Sequence, residues 1–357
     1  MTYEEMLAHE PFGVCRREKE QLLLYGLREL TKFHIDKCSE YGKILKTYNI
    51  SQDGADSIEK IPFLPVRLFK ELDLISVPRK EIFKTMTSSG TTGQKVSKIF
   101  LNRETAANQQ KTLVRIVADF TGSNRLPLLI VDCPSVLKDR TKFSARGAGI
   151  LGFSILGRKK IYALDDNMNL RLYELKEFIR EHKEEKILVF GFTFMIWQYF
   201  CKQLSKLKVR LPLKNAIFIH GGGWKKMVQE QVTPEKFKAT IQDVCGATQV
   251  CDYYGMVEQT GCIYMECEEG HLHTSTYSDV IVRRTKDFSV CDFGEKGIIQ
   301  VLSLLPRSYP GHSLLTEDEG SIFGIDDCPC GSKGKYFQVL GRIKQAEIRG
   351  CSDTYMS

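Results

Sequence analysis

The sequence predicts an α/β fold in which helices cover parallel strands, followed by a β-rich C-terminal part. The first observation is a regular alternation of strand and helix patterns over residues 126–254. Such alternation predicts a parallel sheet with helices on its faces. The second observation is a change near Tyr277, after which short strand patterns follow one another between turns. Consecutive short strands of this kind favour antiparallel pairing.

Three segments before this alternation have recognisable patterns. Arg17–Lys46 combines helix-forming residues with apolar residues at helical spacing, which predicts helix. Ile61–Lys70 contains two prolines and is predicted to be extended or irregular. Residues 104–120 again have the spacing of a helix.

Within the alternating region, one helix has clear boundary signals. Thr233 can cap it, Pro234 suits its first turn and Gly246 suits its end. The patterns of the region are, in chain order, the strand "LPLLIVD", the helix "RLYELKEFIREHKEE", the strand "KILVFGF", the helix "FMIWQYFCKQLSKL", the strand "NAIFIHGGGW", the helix "TPEKFKATIQDVCG" and the strand "TQVCDYYG". The β-rich part is predicted from the strand patterns "SDVIVRR", "KGIIQVLSL", "GSIFGI" and "KYFQVLGRI".

Composition and charge narrow the class of protein. The 357 residues are 42% hydrophobic and 27% charged, as in ordinary globular proteins. The net charge of +7 is spread along the chain, which favours small anionic ligands and gives no basic stripe for nucleic acid. The N-terminus lacks the apolar region of a signal peptide, and the longest apolar run, Ile187–Phe200, is too short to span a bilayer. We therefore expect a cytoplasmic protein without a membrane span, whose 12 cysteines are reduced.

A loop rich in glycine and hydroxyl residues, "TMTSSGTTGQKVSK", occupies Thr85–Lys98. Glycines let backbone N–H groups crowd an anion, hydroxyls add hydrogen bonds and lysines add charge, which suits phosphates. The loop is not a Walker A motif, because only Thr91 and Thr92 separate Gly90 from Gly93. The residues alone leave two interpretations open, a phosphate loop of another enzyme class and a flexible polar loop.

Further motifs carry a family resemblance. The stretches "SSGTTGQKVSK", "YYGMVEQTG", "LLTEDEG" and "LGRIKQAEIRG", in this order, resemble those of the adenylate-forming superfamily. The stretches "IPFLPVRLFK", "HGGGWKK", "CPCGSKGKYFQVLGR" and "EIRGC" are similar to its acyl-protein synthetase (LuxE-like) branch, with phenylacetate–CoA ligases as nearer cousins than luciferases. The resemblance runs from about Ile61 to Cys351.

The resemblance implies the N-terminal domain of an adenylate-forming enzyme. Its expected segments are an N-terminal helical segment at 1–60, an α/β nucleotide-binding core at 61–276, a β-rich part of the same adenylation domain at 277–350 and a mobile tail at 351–357. In most of the superfamily, a C-terminal lid of roughly a hundred residues follows the Gly-Arg motif. Because only Ile343–Ser357 follow that motif here, we expect the lid to be absent.

The implied chemistry is attack of a carboxylate on the α-phosphorus of ATP, which needs Mg2+ and fixed donors to offset the repulsion between anions. Glu258 is implied as the catalytic Mg2+ ligand, Asp318 as the ribose ligand and Arg342 as its assistant. As isolated acids, Glu258 and Asp318 would be interpreted as ordinary solvated carboxylates. The residues implied to bind the nucleotide and its phosphates are Ser88, Ser89, Gly90, Thr91, Thr92, Gly93, Lys98, Gly222, Gly223, Tyr253, Tyr254, Gly255, Asp318 and Arg342.

Two further roles are predicted with open alternatives. Phe192 and Phe194 are candidates for the wall of an acyl pocket, although ordinary core aromatics would explain them equally well. The lid normally supplies a catalytic lysine, so either Lys225 or its neighbour Lys226 replaces it, with Lys225 as the candidate, or the first step is slow.

The acyl acceptor is implied by the C-terminal "EIRGC". Acyl-protein synthetases end soon after Arg-Gly-Cys, so the resemblance implies Cys351 as the acyl carrier and an acyl reductase or a carrier protein as the partner. Arg349 would favour its thiolate. The alternatives are an idle Cys351 with transfer to CoA or a carrier-protein thiol, and an inactive scaffold that only binds adenylate.

Cysteine and histidine residues from two stretches, "CEEGHLH" and "CPC", predict a metal site. Cys267, His273, Cys328 and Cys330 would form a Cys3His zinc site. His273 is preferred to His271, because it begins a strand after a turn at Gly270. The spacing is not that of a standard zinc finger, but phenylacetate–CoA ligase-like relatives can hold a structural metal in a comparable arrangement. Loop thiols without a metal remain the alternative.

Overall fold

A computed structural model describes residues 3–47, 55–88, 95–122, 125–137, 145–224 and 229–343. Contacts divide the described residues into two compact units. The larger unit is drawn from residues 3–119 and 254–343, and the smaller unit from residues 120–253. The segment boundaries at residues 60, 276 and 350 stay a prediction.

The described residues form ten α-helices and fourteen strands. The α-helices are α1 (Tyr3–Ala8), α2 (Arg16–Lys37), α3 (Ser39–Thr47), α4 (Leu68–Glu71), α5 (Arg103–Thr121), α6 (Ala145–Phe153), α7 (Leu172–Glu181), α8 (Thr193–Met195), α9 (Lys202–Leu207) and α10 (Pro234–Cys245). The strands are β1 (Leu64–Pro65), β2 (Ile82–Thr87), β3 (Lys98–Asn102), β4 (Leu126–Ile130), β5 (Gly157–Tyr162), β6 (Ile187–Phe192), β7 (Ala216–Gly221), β8 (Gln249–Tyr254), β9 (Tyr264–Glu266), β10 (Leu272–His273), β11 (Ser278–Arg283), β12 (Gly297–Ser303), β13 (Ser313–Ile325) and β14 (Lys335–Arg342).

The smaller unit contains a parallel sheet with the strand order β5-β4-β6-β7-β8. Every residue of β6 and β7 is buried, as expected for central strands that are covered on both faces. In the register of the sheet, Phe192 lies opposite Gly221, and Gly221 lies opposite Tyr253. The predicted parallel sheet is therefore confirmed, and the carboxyl ends of three neighbouring strands lie side by side.

The helices of this unit follow from local sequence. Thr233 caps α10, because its hydroxyl accepts a hydrogen bond from the Lys236 amide at 3.3 Å. Gly246 ends this helix in the left-handed region with φ +77°, which confirms the predicted boundaries. Between α8 and α9 lies a π-helical turn, Ile196–Cys201, that the sequence pattern did not predict.

The larger unit contains an antiparallel run with the order β11-β12-β13-β14-β10-β9, and β1 pairs in parallel with β13. The predicted run of strands after Tyr277 is confirmed, and the two preceding strands, β9 and β10, pair in the same antiparallel run. A separate antiparallel pair, β2 and β3, was not predicted. Leu23 and Leu27 of α2 pack in one core cluster with Ile281 and Leu302 of the strands.

The predicted helical stretch Arg17–Lys46 consists of two helices. Cys38 interrupts the helix with an extended backbone, φ −119° and ψ 101°, and α3 begins at Ser39. No helix among the described residues has both the length and the hydropathy that a membrane span requires.

Two stacked histidines in the larger unit make the fold sensitive to acid. The rings of His34 and His312 are fully buried and lie 5.0 Å apart. Burial lowers the pKa of His34 to about 3 and that of His312 well below its usual value. Both pKa values lie below the unfolded value of about 6.5. Above pH 6.5 the imidazoles are neutral in both states, and their contribution to stability is fully present. As pH falls from 6.5 towards 3, the unfolded state binds protons that the folded state does not, so folded-state stability is lost.

We therefore expect the free energy of unfolding to fall between pH 7.5 and pH 5. Each of the two histidines should contribute a loss of about 1.4 kcal/mol per pH unit below pH 6.5. Urea denaturation at several pH values measures this slope, and NMR of the imidazoles should show that neither ring titrates above pH 5. An unfolding midpoint that does not change between pH 7.5 and pH 5 would contradict the prediction.

Candidate active site and cysteine–histidine cluster

The described ends of the glycine-rich loop belong to the β2–β3 pair. Ser88 is buried, and its hydroxyl accepts a hydrogen bond from the Ser97 amide at 2.9 Å, while the Ser88 amide donates to the Ser97 carbonyl. Lys98 begins β3, and its Nζ lies 3.6 Å from Oδ1 of Asp73. The predicted phosphate ligands Ser89, Gly90, Thr91, Thr92 and Gly93 lie outside the described residues.

Three predicted residues of the larger unit meet in one polar cluster. Asp318 of β13 lies opposite Arg342 of β14, and Arg342 Nε is 3.8 Å from Asp318 Oδ1. The Tyr254 hydroxyl donates a hydrogen bond of 2.7 Å to Asp318 Oδ2. Burial and the neighbouring carboxylate raise the pKa of Tyr254 well above its usual value, so the phenol keeps its proton and remains the donor. Gly255 follows and is exposed.

Glu258 lies in a short 3₁₀ turn, Val257–Gln259, and is buried, with 2% of its surface exposed. The turn is fixed by buried hydrogen bonds. The Tyr309 hydroxyl donates to the Glu258 carbonyl at 2.9 Å, and the side-chain Nε2 of Gln259 donates to the carbonyls of Val301 and Gly311. The carboxylate therefore stands on a rigid backbone, as a metal ligand requires.

The glycine turn after β7 belongs to the smaller unit. A Cβ atom at Gly221 would lie 2.7 Å from the Tyr253 ring and carbonyl, so only glycine fits there. Gly222 and Gly223 have φ of +81° and +61°, in the left-handed region that favours glycine. Both are exposed at the carboxyl end of the sheet, where open α/β sheets bind ligands. Lys225 and Lys226, the candidate catalytic lysines, lie outside the described residues.

Phe192 and Phe194 are both buried at the end of β6. Phe192 packs edge-on against Phe190 at 6.1 Å, and a Cβ atom at Gly149 would approach the Phe192 ring to 3.0 Å. Phe190 in turn stacks on Phe153 at 3.9 Å. These contacts suit a pocket wall and an aromatic core equally, so the predicted acyl pocket stays a prediction.

The four predicted metal ligands are brought together in the larger unit. The ligand atoms of Cys267, His273, Cys328 and Cys330 all lie within 4.8 Å of one another. The Cys267 and Cys328 sulfurs are 4.0 Å apart, and Cys330 Sγ lies 3.4 Å from His273 Nε2. The turn before His273 contains Gly270 with φ +78°, as predicted.

These distances fit a four-coordinate zinc ion. Bond lengths of about 2.3 Å to sulfur and about 2.0 Å to nitrogen give tetrahedral edges of about 3.8 Å between sulfurs and about 3.5 Å from sulfur to nitrogen. Burial lowers the pKa of His273 to about 4, so its imidazole is neutral at pH 7, as a ligand must be. His271 is also close, with Nδ1 3.6 Å from Cys328 Sγ. Cys351, the predicted acyl carrier, lies outside the described residues.

Sequence reasoning missed a polar group at the strand ends of the smaller unit. Thr193 follows β6, His220 lies in β7 and Asp252 lies in β8. Thr193 Oγ1 is 3.0 Å from His220 Nδ1, and that nitrogen is 3.4 Å from Asp252 Oδ1. The signal that could have found them is the recurrence of a polar residue near the end of three successive apolar strand patterns.

Comparisons with known proteins agree with this architecture. The chain is 21% identical to the long-chain-fatty-acid–luciferin-component ligase of Aliivibrio fischeri over 334 residues, which cover 91% of this chain and 85% of the relative. Among solved structures, an open conformation of 2-hydroxyisobutyryl-CoA ligase is similar with a TM-score of 0.73 and 16% identity, covering 95% of this chain and 78% of that chain. The thioesterification state of the same ligase gives a TM-score of 0.71 at 17% identity, covering 94% and 70%.

The structural likeness shows that the fold is that of the adenylate-forming enzymes. The family model described as "Acyl-protein synthetase, LuxE" matches residues 3–357, nearly the whole chain. The protein is therefore an acid–thiol ligase of the adenylate-forming class, and it belongs to the LuxE family of acyl-protein synthetases.

Proposed function

We propose that this protein activates a carboxylic acid of the fatty-acid class with ATP and Mg2+, and then carries the acyl group as a thioester on Cys351. In the first step, a carboxylate oxygen bonds to the α-phosphorus of ATP and pyrophosphate leaves, which gives acyl-AMP. In the second step, the Cys351 thiol loses its proton to solvent, the resulting thiolate bonds to the acyl carbonyl carbon, and AMP leaves with the electrons of the broken acyl–oxygen bond. The observation that carries the proposal is the LuxE family match over residues 3–357.

The proposed nucleotide-binding roles are supported by the contacts that these residues make within their own unit. Asp318 accepts from the Tyr254 hydroxyl and lies beside Arg342, so its carboxylate is held in one orientation for the ribose hydroxyls. The Lys98 ammonium lies 3.6 Å from the exposed Asp73 carboxylate, and such ion pairs are weak, so the ammonium can turn to phosphate. The proposed phosphate and nucleotide ligands are Ser88, Ser89, Gly90, Thr91, Thr92, Gly93, Lys98, Gly222, Gly223, Tyr253, Tyr254, Gly255, Asp318 and Arg342.

The remaining roles are proposed as follows. Glu258 holds Mg2+, which neutralises the phosphates as the carboxylate approaches. Lys225 supplies the positive charge that a lid lysine gives in relatives, and Phe192 with Phe194 lines the acyl chain. We place the protein in the cytoplasm, where an acyl reductase or a carrier protein accepts the acyl group from Cys351.

The test is the intact mass of the protein after incubation with ATP, Mg2+ and a panel of fatty and aromatic acids. A mass increase equal to the acyl group, removed by hydroxylamine, is expected for a thioester on the protein. Release of pyrophosphate without this increase would favour the alternative acceptor, CoA or a carrier-protein thiol. If no acid stimulates pyrophosphate release, the proposed activity is wrong.

We also propose that Cys267, His273, Cys328 and Cys330 hold one structural Zn2+. The supporting observation is the convergence of four ligand atoms within 4.8 Å in a Cys3His set. The ion would tie the β9–β10 turn to the loop between β13 and β14. It has no part in the chemistry of acid activation.

Elemental analysis should find about one equivalent of zinc in protein purified without added metal. Cys328→Ser should reduce the zinc content by at least tenfold and lower the unfolding temperature, because a structural zinc contributes directly to folding. Cys291→Ser, which alters a cysteine outside the four-ligand set, is the matched control. Less than about one-tenth equivalent of any transition metal in the parent protein would count against a tight site.

A further inference from the structure

The carboxyl ends of β6, β7 and β8 are connected by a polar network formed by Thr193, His220 and Asp252. The Thr193 hydroxyl donates to the Gly221 carbonyl at 3.2 Å and lies 3.0 Å from His220 Nδ1. Asp252 Oδ1 accepts from the Tyr253 amide at 2.9 Å and lies 3.4 Å from the same imidazole nitrogen. The network therefore contains one residue from the carboxyl end of each of these three strands.

The direction of the hydrogen bonds follows from these partners. Because the Thr193 proton goes to the Gly221 carbonyl, the Thr193 oxygen is left as an acceptor, and the Asp252 carboxylate is also an acceptor. His220 must then carry its proton on Nδ1 and donate it to this pair. Its Nε2 has no hydrogen-bond partner among the described residues.

The network is shielded from water on one side. Thr193 and His220 are buried, whereas the Asp252 side chain is half exposed. The His220 ring packs on Phe237 at 4.7 Å, and Trp224, directly after the glycine turn, packs on the same phenylalanine and on Trp197. Because His220 is buried and its Nδ1 faces Thr193 and Asp252, it is arranged to orient these two side chains. It is not placed to exchange protons with a substrate.

We infer that Thr193 and His220 are positioning residues for the nucleotide step, because they fix the Gly221–Gly223 turn and Tyr253 in the geometry that binds ATP. This inference rests on the proposed function, in which Gly222, Gly223 and Tyr253 bind the nucleotide. The left-handed glycines give the turn its shape, and the network anchors its first residue. A turn without this anchor would hold ATP less tightly, because a site binds well only when supporting residues fix its geometry.

Thr193→Val tests the inference, because valine keeps the shape and removes both hydrogen bonds of the hydroxyl. The two tryptophans of the chain, Trp197 and Trp224, pack on Phe237 beside His220, so we expect tryptophan fluorescence to change when ATP binds, and equilibrium dialysis with labelled ATP checks the affinity. We expect ATP to bind Thr193→Val about five- to tenfold more weakly, the size of effect expected when the bond that anchors the Gly221 carbonyl is lost. In pyrophosphate exchange, KM for ATP should rise by a similar factor, while KM for the acid and kcat stay within twofold.

Thr193→Ser is the matched control, since it restores the hydroxyl and should return ATP affinity to within twofold of the parent. His220→Leu, which removes the donor at Nδ1, is the second disrupting variant if Thr193→Val unfolds the protein, and it should weaken ATP binding by a similar factor. Parent-like ATP affinity in Thr193→Val would overturn the inference, as would an equal loss in Thr193→Ser. If the parent protein binds ATP but catalyses no acid-dependent exchange, only the proposed function is refuted. The ATP affinities of the variants would then still test whether Thr193 and His220 position the nucleotide site. A parent that does not bind ATP would refute both.

Discussion

Glu258→Gln is expected to reduce carboxylate-dependent ATP–pyrophosphate exchange by about 100-fold or more, the loss typical when one group that stabilises transition-state charge is removed. Glutamine has the shape of glutamate, so the buried turn held by Tyr309 and Gln259 should stay intact. The substitution removes the negative charge that we propose binds Mg2+. Exchange of labelled pyrophosphate into ATP, with the acid at saturation, measures the effect.

The controls separate loss of the metal ligand from loss of packing. Glu184→Gln changes a glutamate whose side chain is 84% exposed and should leave exchange within twofold of the parent. The unfolding temperature of Glu258→Gln should stay within a few degrees of the parent, and the Mg2+ concentration for half-maximal exchange should rise. Exchange at the parental rate and Mg2+ dependence in Glu258→Gln would remove this residue from the mechanism.

The sequence predicted the parallel sheet well because central strands of such sheets are apolar along their whole length. β6 and β7 are buried at every position, and their flanking helix α10 has a threonine cap and a terminal glycine. β5, at the edge of the sheet, was missed because it is not apolar along its length. Three of its six residues, Arg158, Lys159 and Lys160, are exposed. β2 was missed because five of its six residues, all except Met86, are exposed or only partly buried.

For the candidate site, the sequence identified residues in short motifs but not the contacts between residues that are far apart in the chain. Asp318 and Arg342 were found through short motifs, yet nothing in the sequence shows that they lie opposite each other in β13 and β14 with Tyr254 on the same carboxylate. The cysteine–histidine set spans residues 267–330, and only folding brings its ends within bonding distance of one ion. Thr193 lies in none of the motifs and His220 is only the first residue of "HGGGWKK", and their contact depends on the register between neighbouring strands.

Cys351→Ser is expected to abolish hydroxylamine-labile acylation of the protein and to leave ATP–pyrophosphate exchange within about twofold of the parent. Acid activation needs the nucleotide ligands and Mg2+ but no thiol, whereas thioester formation needs a thiolate near the acyl carbonyl. Cys351 follows Arg342 by nine residues. An extended chain covers roughly 3.3 Å per residue, so this separation can span roughly 30 Å, enough to reach a nucleotide held near Arg342 and then a partner. We also predict that Arg349, two residues earlier in the sequence, favours the thiolate form of Cys351.

Cys15→Ser is the matched control, because Cys15 is an exposed thiol in the described part of the chain and should keep full acylation. Intact mass spectrometry with a long-chain acid, ATP and Mg2+ compares the three proteins, and peptide mapping locates the acyl group. In Cys351→Ser, acyl-AMP should accumulate on the enzyme and be lost slowly to water, because the serine hydroxyl is a far weaker nucleophile than a thiolate at neutral pH. If Cys351→Ser is acylated as fully as the parent, another thiol is the carrier. If neither protein is acylated while acyl-CoA forms when CoA is added, the acceptor is external and Cys351 has no part in transfer.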